Sequence, residues 1–188
     1  WFSATHLPPK GFATTQFDMV IAEDVGLYKF DILGQRGLAK IEEALQITEA
    51  QGGEVTAVTY GPARAEAALR DCLARGAHKA VHVIGGETTL GDSFTIATVL
   101  AKALEGREYD LVLCGHKGVG TDCSQVGQML AELIGIPHVA NVTKLEVGDG
   151  SLAAGRDVEG GQEQVDSPLP ALVTCQKGLN EPRYAALK

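Results

Sequence analysis

Residues 115–128, Gly-His-Lys-Gly-Val-Gly-Thr-Asp-Cys-Ser-Gln-Val-Gly-Gln, have the types and spacing suited to holding an anion. An apolar run, Tyr109 to Cys114, precedes them and reads as a buried strand. A helical pattern follows, marked by Val126, Met129, Leu130, Leu133 and Ile134. Strand, glycine-rich loop and helix start together offer backbone N–H groups and a positive dipole end to a negative ligand. The glycines let a ligand approach the backbone, and Thr121, Asp122 and Ser124 are types that cap a helix start. On this reading a nucleotide phosphate rests on the N–H groups near Ser124 to Val126. A plainer reading fits the same residues: an ordinary βα loop closed by its own side-chain cap, as occurs in any α/β domain.

Other chemistry-bearing residues form no comparable pattern. Cys72, Cys114, Cys123 and Cys175 are far apart and make no CxxC pair, so zinc and thioredoxin-type chemistry lack support. Cys114 is expected as a small core residue. Cys123 falls near the expected helix N-terminus, a setting that favours thiolate, although a small residue in a tight loop is the plainer reading. His78 and His82 are four apart, but in a strand-like run, so they would not stack as helical metal ligands. No Ser-His-Asp order, paired carboxylates or metal-ligand spacing points to an enzyme.

The totals narrow the field further. In 188 residues, 45% are hydrophobic and 21% charged, the composition of a globular domain with a core. The net charge of −8, without basic clusters, argues against nucleic acid or a membrane surface as partner. No apolar run approaches the length that spans a bilayer and no signal-peptide pattern opens the chain, so a cytoplasmic location is expected. The start, Trp1-Phe2-Ser3, lacks an initiator Met, and the N-terminus is expected to be processed, trimmed or fragmentary.

The elements that must position the loop follow from periodicity. Residues 1–16 read as an arm containing Pro8-Pro9, and Phe17 to Ala22 as a short apolar strand. Tyr28 to Leu33 is expected as a second short strand. A helix is expected from about Arg36 to Ala50, with Leu38, Ile41 and Leu45 inward and Gly52-Gly53 ending it. Next come a strand from Glu54 to Tyr60 and a helix opened by Pro62 with Ala65, Leu69, Cys72 and Leu73 on one face. A strand from Lys79 to Ile84 and a helix from Ser93 to Leu104 lead to the strand that feeds the loop. This alternation predicts an α/β fold: a mostly parallel sheet with helices on both faces, of the nucleotide-binding, Rossmann-like kind. Ligands of such sheets bind beyond the carboxyl ends of the strands, where residues 115–128 lie. After Gly135 the rhythm changes to a strand from Val139 to Val147 and a hairpin around Gly160-Gly161. A last buried strand, Ala171 to Gln176, leads into an extended tail, 177–188.

From about Ile41 onward the chain resembles the β subunit of electron transfer flavoprotein. The runs that carry the resemblance are IEEAL at 41–45, GGEVTAVTYGPARAEAALRDCLARGAHKAVHV at 52–83 and DLVLCG at 110–115. TDCSQVGQMLAELIGIPHVANVTKLE at 121–146 and LPALVTCQKGLNEPRYAAL at 169–187 complete it. The resemblance implies an electron carrier rather than an enzyme. It implies pairing with an α subunit that carries most of the FAD, and a structural AMP in this subunit. In the electron-bifurcating branch a second FAD replaces that AMP. By position, Cys123, Ser124, Gln125 and Val126 would cradle the phosphate, with Gly120, Thr121, Asp122 and Gly127 in the same loop. Tyr60 would lie near the adenosine. The tail resembles the segment that recognises partner flavin dehydrogenases, with Arg183 and Tyr184 in its motif and Leu187 matching its anchoring leucine. A frayed end is the plainer reading of Leu187.

The N-terminal part departs from this pattern. The family's first strand, of the K-I-L-V-x-V-K-x type, lies at the centre of its sheet and is missing here. Its Asn-Pro-Phe helix opening is replaced by Gly34-Gln35-Arg36. Residues from about 7 to 40 instead resemble a piece of the bacterial DNA polymerase III α subunit, above all in AEDVGLYKFDILGQRGL. None of the polymerase's catalytic carboxylate motif accompanies it. The chain therefore looks chimeric, with residues 17–40 of foreign origin in a domain spanning 17–188. Two functions are expected from this: an electron-carrier subunit in which Phe17 to Ala22 replaces the missing strand, or an incomplete nucleotide-binding domain without electron transfer.

Overall fold

In a computed structural model of the chain, the described residues are 35–85, 91–118, 123–176 and 179–180. The chain divides into two units, Trp1–Ile32 and Leu33–Lys188, and every described residue lies in the second. The expected arm and the strands at 17–22 and 28–33 fall outside the described residues.

Helix α1, Gln35–Gln51, comes first. Its inward residue Leu45 packs with Val55 and Ala77, and Ile41, Ala44 and Cys72 extend that core. Gly52 and Gly53 follow at positive φ (84° and 115°), a conformation glycine adopts without a Cβ clash. Strand β1, Thr56–Gly61, leads through a 3-10 turn at Ala63–Ala65 into α2, Glu66–Ala74. Strand β2, Lys79–Ile84, pairs with β1 in parallel, from Thr56 against Lys79 to Gly61 against Ile84. The α2 face is narrower than its periodicity suggests. Leu69 is buried, but Leu73 is 42% exposed, because a helix of two turns on a two-stranded sheet runs out of surface to cover.

Helix α3, Ser93–Leu104, is capped by Asp92, whose carboxylate accepts from Thr95 N at 2.7 Å. Then come β3, Leu111–Gly115, α4, Val126–Ile134, and β4, His138–Val147. Gly135, at φ 73°, ends α4. Strands β5, Ser151–Val158, and β6, Gly161–Pro168, form the expected hairpin, and β7, Ala171–Cys175, closes the series. The second sheet has the order β3-β7-β4-β5-β6. β7 lies parallel to both β3 and β4, whereas β4/β5 and β5/β6 are antiparallel.

The fold is the α/β class expected, with parallel strands at the heart of the second sheet and an antiparallel hairpin at its edge. Two particulars differ. Among the described residues the strands form two sheets rather than one, and the outer edges of β1 and β3 have no strand partner. Cores fill both faces of the larger sheet. On one face α3 and α4 pack Ala97, Leu130 and Ala131 against Leu172, with Val112 and Cys114 beside them. On the other, Val139, Val142, Leu152, Ala154, Ala171, Val173 and Cys175 form a second cluster.

That second face also meets charge from α1. Glu42 and Glu43 are only 5% and 8% exposed. Glu42 accepts from Gln46 Nε2 at 2.8 Å, and Glu43 accepts from Asn180 Nδ2 across 137 residues of sequence. Burial pushes the Glu43 carboxyl above its ordinary value of 4.5, the Asn180 bond pulls it back, and Glu42 adds an upward push. A carboxyl raised by folding binds its proton more tightly folded than unfolded. Its contribution to stability is full below the ordinary value and is lost as pH rises through the folded value. Glu43→Gln should therefore gain stability relative to the parent between about pH 4 and about pH 7. Urea unfolding at the two pH values measures this. An equal difference at both would show that Glu43 is not raised.

Candidate functional site

The C-terminal ends of β3, β7 and β4 converge with the first turn of α4, and Thr174 of β7 joins them. All five residues of β7 are buried, and Thr174 is fully so. In parallel register Cys114 faces Thr174 and Gly115 faces Cys175. His116 N then donates to Cys175 O at 3.1 Å, extending the ladder one residue past β3. Strand alternation places Cys114, His116 and Thr174 on the face covered by α4. His116 Nδ1 lies 3.2 Å from Thr174 Oγ1.

β4 bulges as it passes the same point. Its register against β7 runs from Val139/Val173 to Val142/Cys175, three steps against two, and Asn141 sits in the extra place at φ 63°. Asn141 N donates to Thr174 Oγ1 at 3.0 Å, and its side-chain Nδ2 donates to Asp157 O at 3.2 Å. A left-handed asparagine at a bulge is a strained position that the hydroxyl of Thr174 helps to hold.

The start of α4 is seated on Thr174 from the other side. A Cβ on Gly127 would lie 2.4 Å from Thr174 Cγ2, so only glycine lets the helix come this close. The helix dipole is thereby brought to the sheet's carboxyl edge. The N-cap position is Gln125, and its side chain makes no capping bond. This corrects the expectation that Ser124 or its neighbours occupy the cap. Ser124 sits one residue earlier in the left-handed region, at φ 49°, which turns the loop into the helix. The contrast with α3, closed by Asp92, is chemical: α4 reaches the strand ends without an N-cap side chain on its first-turn N–H groups.

The expected site residues divide as follows. Cys123, Ser124, Gln125, Val126 and Gly127 lie together in the loop and first turn of α4, with Cys123 exposed. Gly120, Thr121 and Asp122 fall outside the described residues, as do Arg183, Tyr184 and Leu187. Tyr60, near the end of β1, lays its ring against Gly85, where a Cβ would stand 2.8 Å from Tyr60 Cε2. Lys40 of α1 reaches the end of β3, its Nζ 2.8 Å from where a Cβ on Gly115 would be. Three residues at the site carried no distinct sequence signal: Thr174, Asn141 and His116. A polar residue inside an apolar strand, as Thr174 is, was the available clue.

The thiols behave as core groups. Burial pushes Cys114 up to about 11 and Cys175 up to about 12, with Lys40 opposing both shifts. His78 and His82 serve the backbone, His78 Nδ1 accepting from Val55 N at 3.0 Å and His82 Nε2 lying 3.1 Å from Gly61 O. Among the described residues no cluster of His, Cys, Asp or Glu could hold a metal, and no helix is long and apolar enough to cross a membrane.

Residues 37–188 match the family model described as the electron transfer flavoprotein domain. Among curated proteins the chain is 44% identical over 148 residues to the electron transfer flavoprotein subunit beta of Bacillus subtilis, covering 78% of this chain and 58% of that protein. The human subunit beta is 37% identical over 150 residues, covering 78% and 59%. Protein FixA of Azotobacter vinelandii is 34% identical over 163 residues, covering 83% and 58%. The chain spans somewhat under three fifths of the length of these relatives.

Gly127→Ala tests the seat of α4. The added methyl meets a fully buried Thr174 that has no room to yield, so the loss should be about 1–3 kcal/mol in urea unfolding. A change within about 0.5 kcal/mol would mean that α4 does not bear on Thr174.

Proposed function

The chain belongs to the electron transfer flavoprotein domain family, and from that premise we propose that it is a β-subunit-type electron-carrier component. In this reading it binds AMP at loop 115–128 and pairs with an α subunit that carries FAD. The observation that supports it is the start of α4: brought against the sheet by Gly127, preceded by a left-handed Ser124 and without a side-chain cap at Gln125. That donor set fits a phosphate, because backbone N–H groups and a helix dipole favour an anion there. Backbone groups from Ser124 to Gly127 would hold it, with Cys123 alongside and Tyr60 near the adenosine. The flavin supplies the redox chemistry when bound. The residues of this chain bind and orient nucleotide and perform no bond-breaking step.

Docking of flavin dehydrogenases belongs to the same proposal, through Arg183, Tyr184 and Leu187. The tail that bears them leaves from a fixed point: Leu179 packs on the sheet core and Asn180 bonds Glu43. A single buried Leu contributes roughly 1.5–3 kcal/mol, which suits a transient contact.

The unpaired outer edges of β1 and β3 among the described residues favour a second reading, an incomplete hybrid that binds neither AMP nor an α subunit. The origin of residues from about 7 to 40 in a polymerase-like sequence would account for it.

Acid denaturation of the purified chain, with chromatography of the released nucleotide, separates the readings. Near-stoichiometric AMP is expected. FAD in its place would assign the chain to the bifurcating branch. If no nucleotide is released and added AMP leaves the thermal midpoint unchanged, the hybrid reading stands, since a ligand at about a hundredfold its Kd should add about 2.7 kcal/mol. Replacing Ser124 and Gln125 with bulky residues should abolish AMP retention, and unchanged retention would move the cradle elsewhere.

A further inference from the structure

We propose that His116, fixed in its Nε2–H tautomer by Thr174, is a side-chain contact to the phosphate of the bound nucleotide, and that Thr174 is its positioning residue. The inference rests on the AMP reading above and adds to it a group outside residues 120–127.

The tautomer follows from the donor count at Thr174. A threonine hydroxyl has one proton to donate and two lone pairs to accept with. Asn141 N, a backbone N–H with a single proton, donates to Thr174 Oγ1 at 3.0 Å. The hydroxyl's own proton then turns to His116 Nδ1, 3.2 Å away. An imidazole that accepts at Nδ1 carries its proton at Nε2. Burial, and after it the charge of Lys117, push the His116 pKa below its ordinary value, which agrees with a neutral ring.

Position follows from the same residue. Thr174 Cγ2 abuts Gly127 in the first turn of α4, and Thr174 Oγ1 holds His116. One buried side chain thus places the ring beside the helix start that the phosphate would face. With Nδ1 turned inward to Thr174, Nε2 is directed away from the sheet, past the end of β3 and toward the loop that runs from Gly115 to α4. His116 is half-buried, so one edge of the ring is held and the other is open. A neutral donor aimed at an anion adds to the backbone N–H groups without burying a further full charge. Lys117 and Lys40, the cations near the end of β3, supply long-range attraction there.

The experiment compares AMP and adenosine binding to the full chain and to His116→Ala, Thr174→Val and Thr174→Ser, with nitrogen NMR of the His116 ring. His116→Ala should weaken AMP about five- to twentyfold and leave adenosine unchanged, because the lost bond is to phosphate. Thr174→Val should shift the His116 ring nitrogens toward a tautomer mixture and weaken AMP to a similar degree. Thr174→Ser should restore both. Unchanged AMP affinity in His116→Ala, or equal weakening of AMP and adenosine, overturns the phosphate contact while leaving AMP binding in place. An Nδ1–H signature in the parent overturns the positioning role. Absence of AMP binding by the parent removes the underlying reading, and this inference with it. Should Thr174→Val fail to fold, as the orphaned Asn141 N–H would favour, His116→Ala and the ring signature of the parent decide the matter.

Discussion

The site hangs on one buried hydroxyl. Thr174 is the polar member of a strand whose five residues are all buried, and three separate elements meet it. His116 approaches from β3, Asn141 from the bulge of β4, and Gly127 from α4. A polar group so placed costs free energy unless it is bonded, and here its oxygen is engaged on two sides. The bonds also hold what would otherwise relax: a left-handed asparagine and a chain end past the β3 ladder. Valine would fill the same volume and leave the Asn141 N–H without its acceptor. The arrangement is therefore positional as much as stabilising, since a net hydrogen bond contributes only about 1 kcal/mol.

Much of this was legible in the sequence, and the reason is periodicity. Helix α3 was expected from Ser93 to Leu104 and β2 from Lys79 to Ile84, and both occupy those residues. The loop and first turn of α4 were expected at the carboxyl end of a parallel strand, and β3 delivers them there. What was not legible depends on contacts between distant elements. Leu73 keeps the helical spacing of a core residue, but the sheet beneath α2 is too small to cover it. Gln125 as the N-cap is invisible to a reading that ranks cap types, because Gln is a poor cap and its place is set by how α4 meets β7. The role of Thr174 emerges only once three strands and a helix are assembled around it.

The two motifs farthest apart in the described chain are joined by a bond of the same kind. Glu43, within the IEEAL run of α1, accepts from Asn180, within the LNEPRY run of the tail. A carboxylate so little exposed is costly to ionise, and Asn180 returns part of that cost. Helix α1 is thus tied to both ends of the second sheet's central strands: through Lys40 to the end of β3, and through Glu43 to the chain that leaves β7. On the other side of α1, Leu45 closes the small core over Val55 and Ala77. This helix belongs to the β1–β2 sheet by its apolar face and to the β3–β7 sheet by its charged residues.

That double attachment bears on how binding and folding are linked. Two sheets that share no described strand pairing must be held in register by the helices that touch both. Helix α1 does so through Leu45 and Lys40, and α3 does so by packing on β1 and on α4. Such a scaffold resists separation less than a continuous hydrogen-bonded sheet, because side-chain packing falls off sharply when surfaces part. An adenine nucleotide bound at the carboxyl edge, with phosphate at α4 and adenosine near Tyr60 of β1, would touch both sheets at once. Its binding free energy would then oppose their separation directly. A nucleotide that takes no part in electron transfer thus has a physical task in this chain: it holds together an edge that the described backbone leaves open.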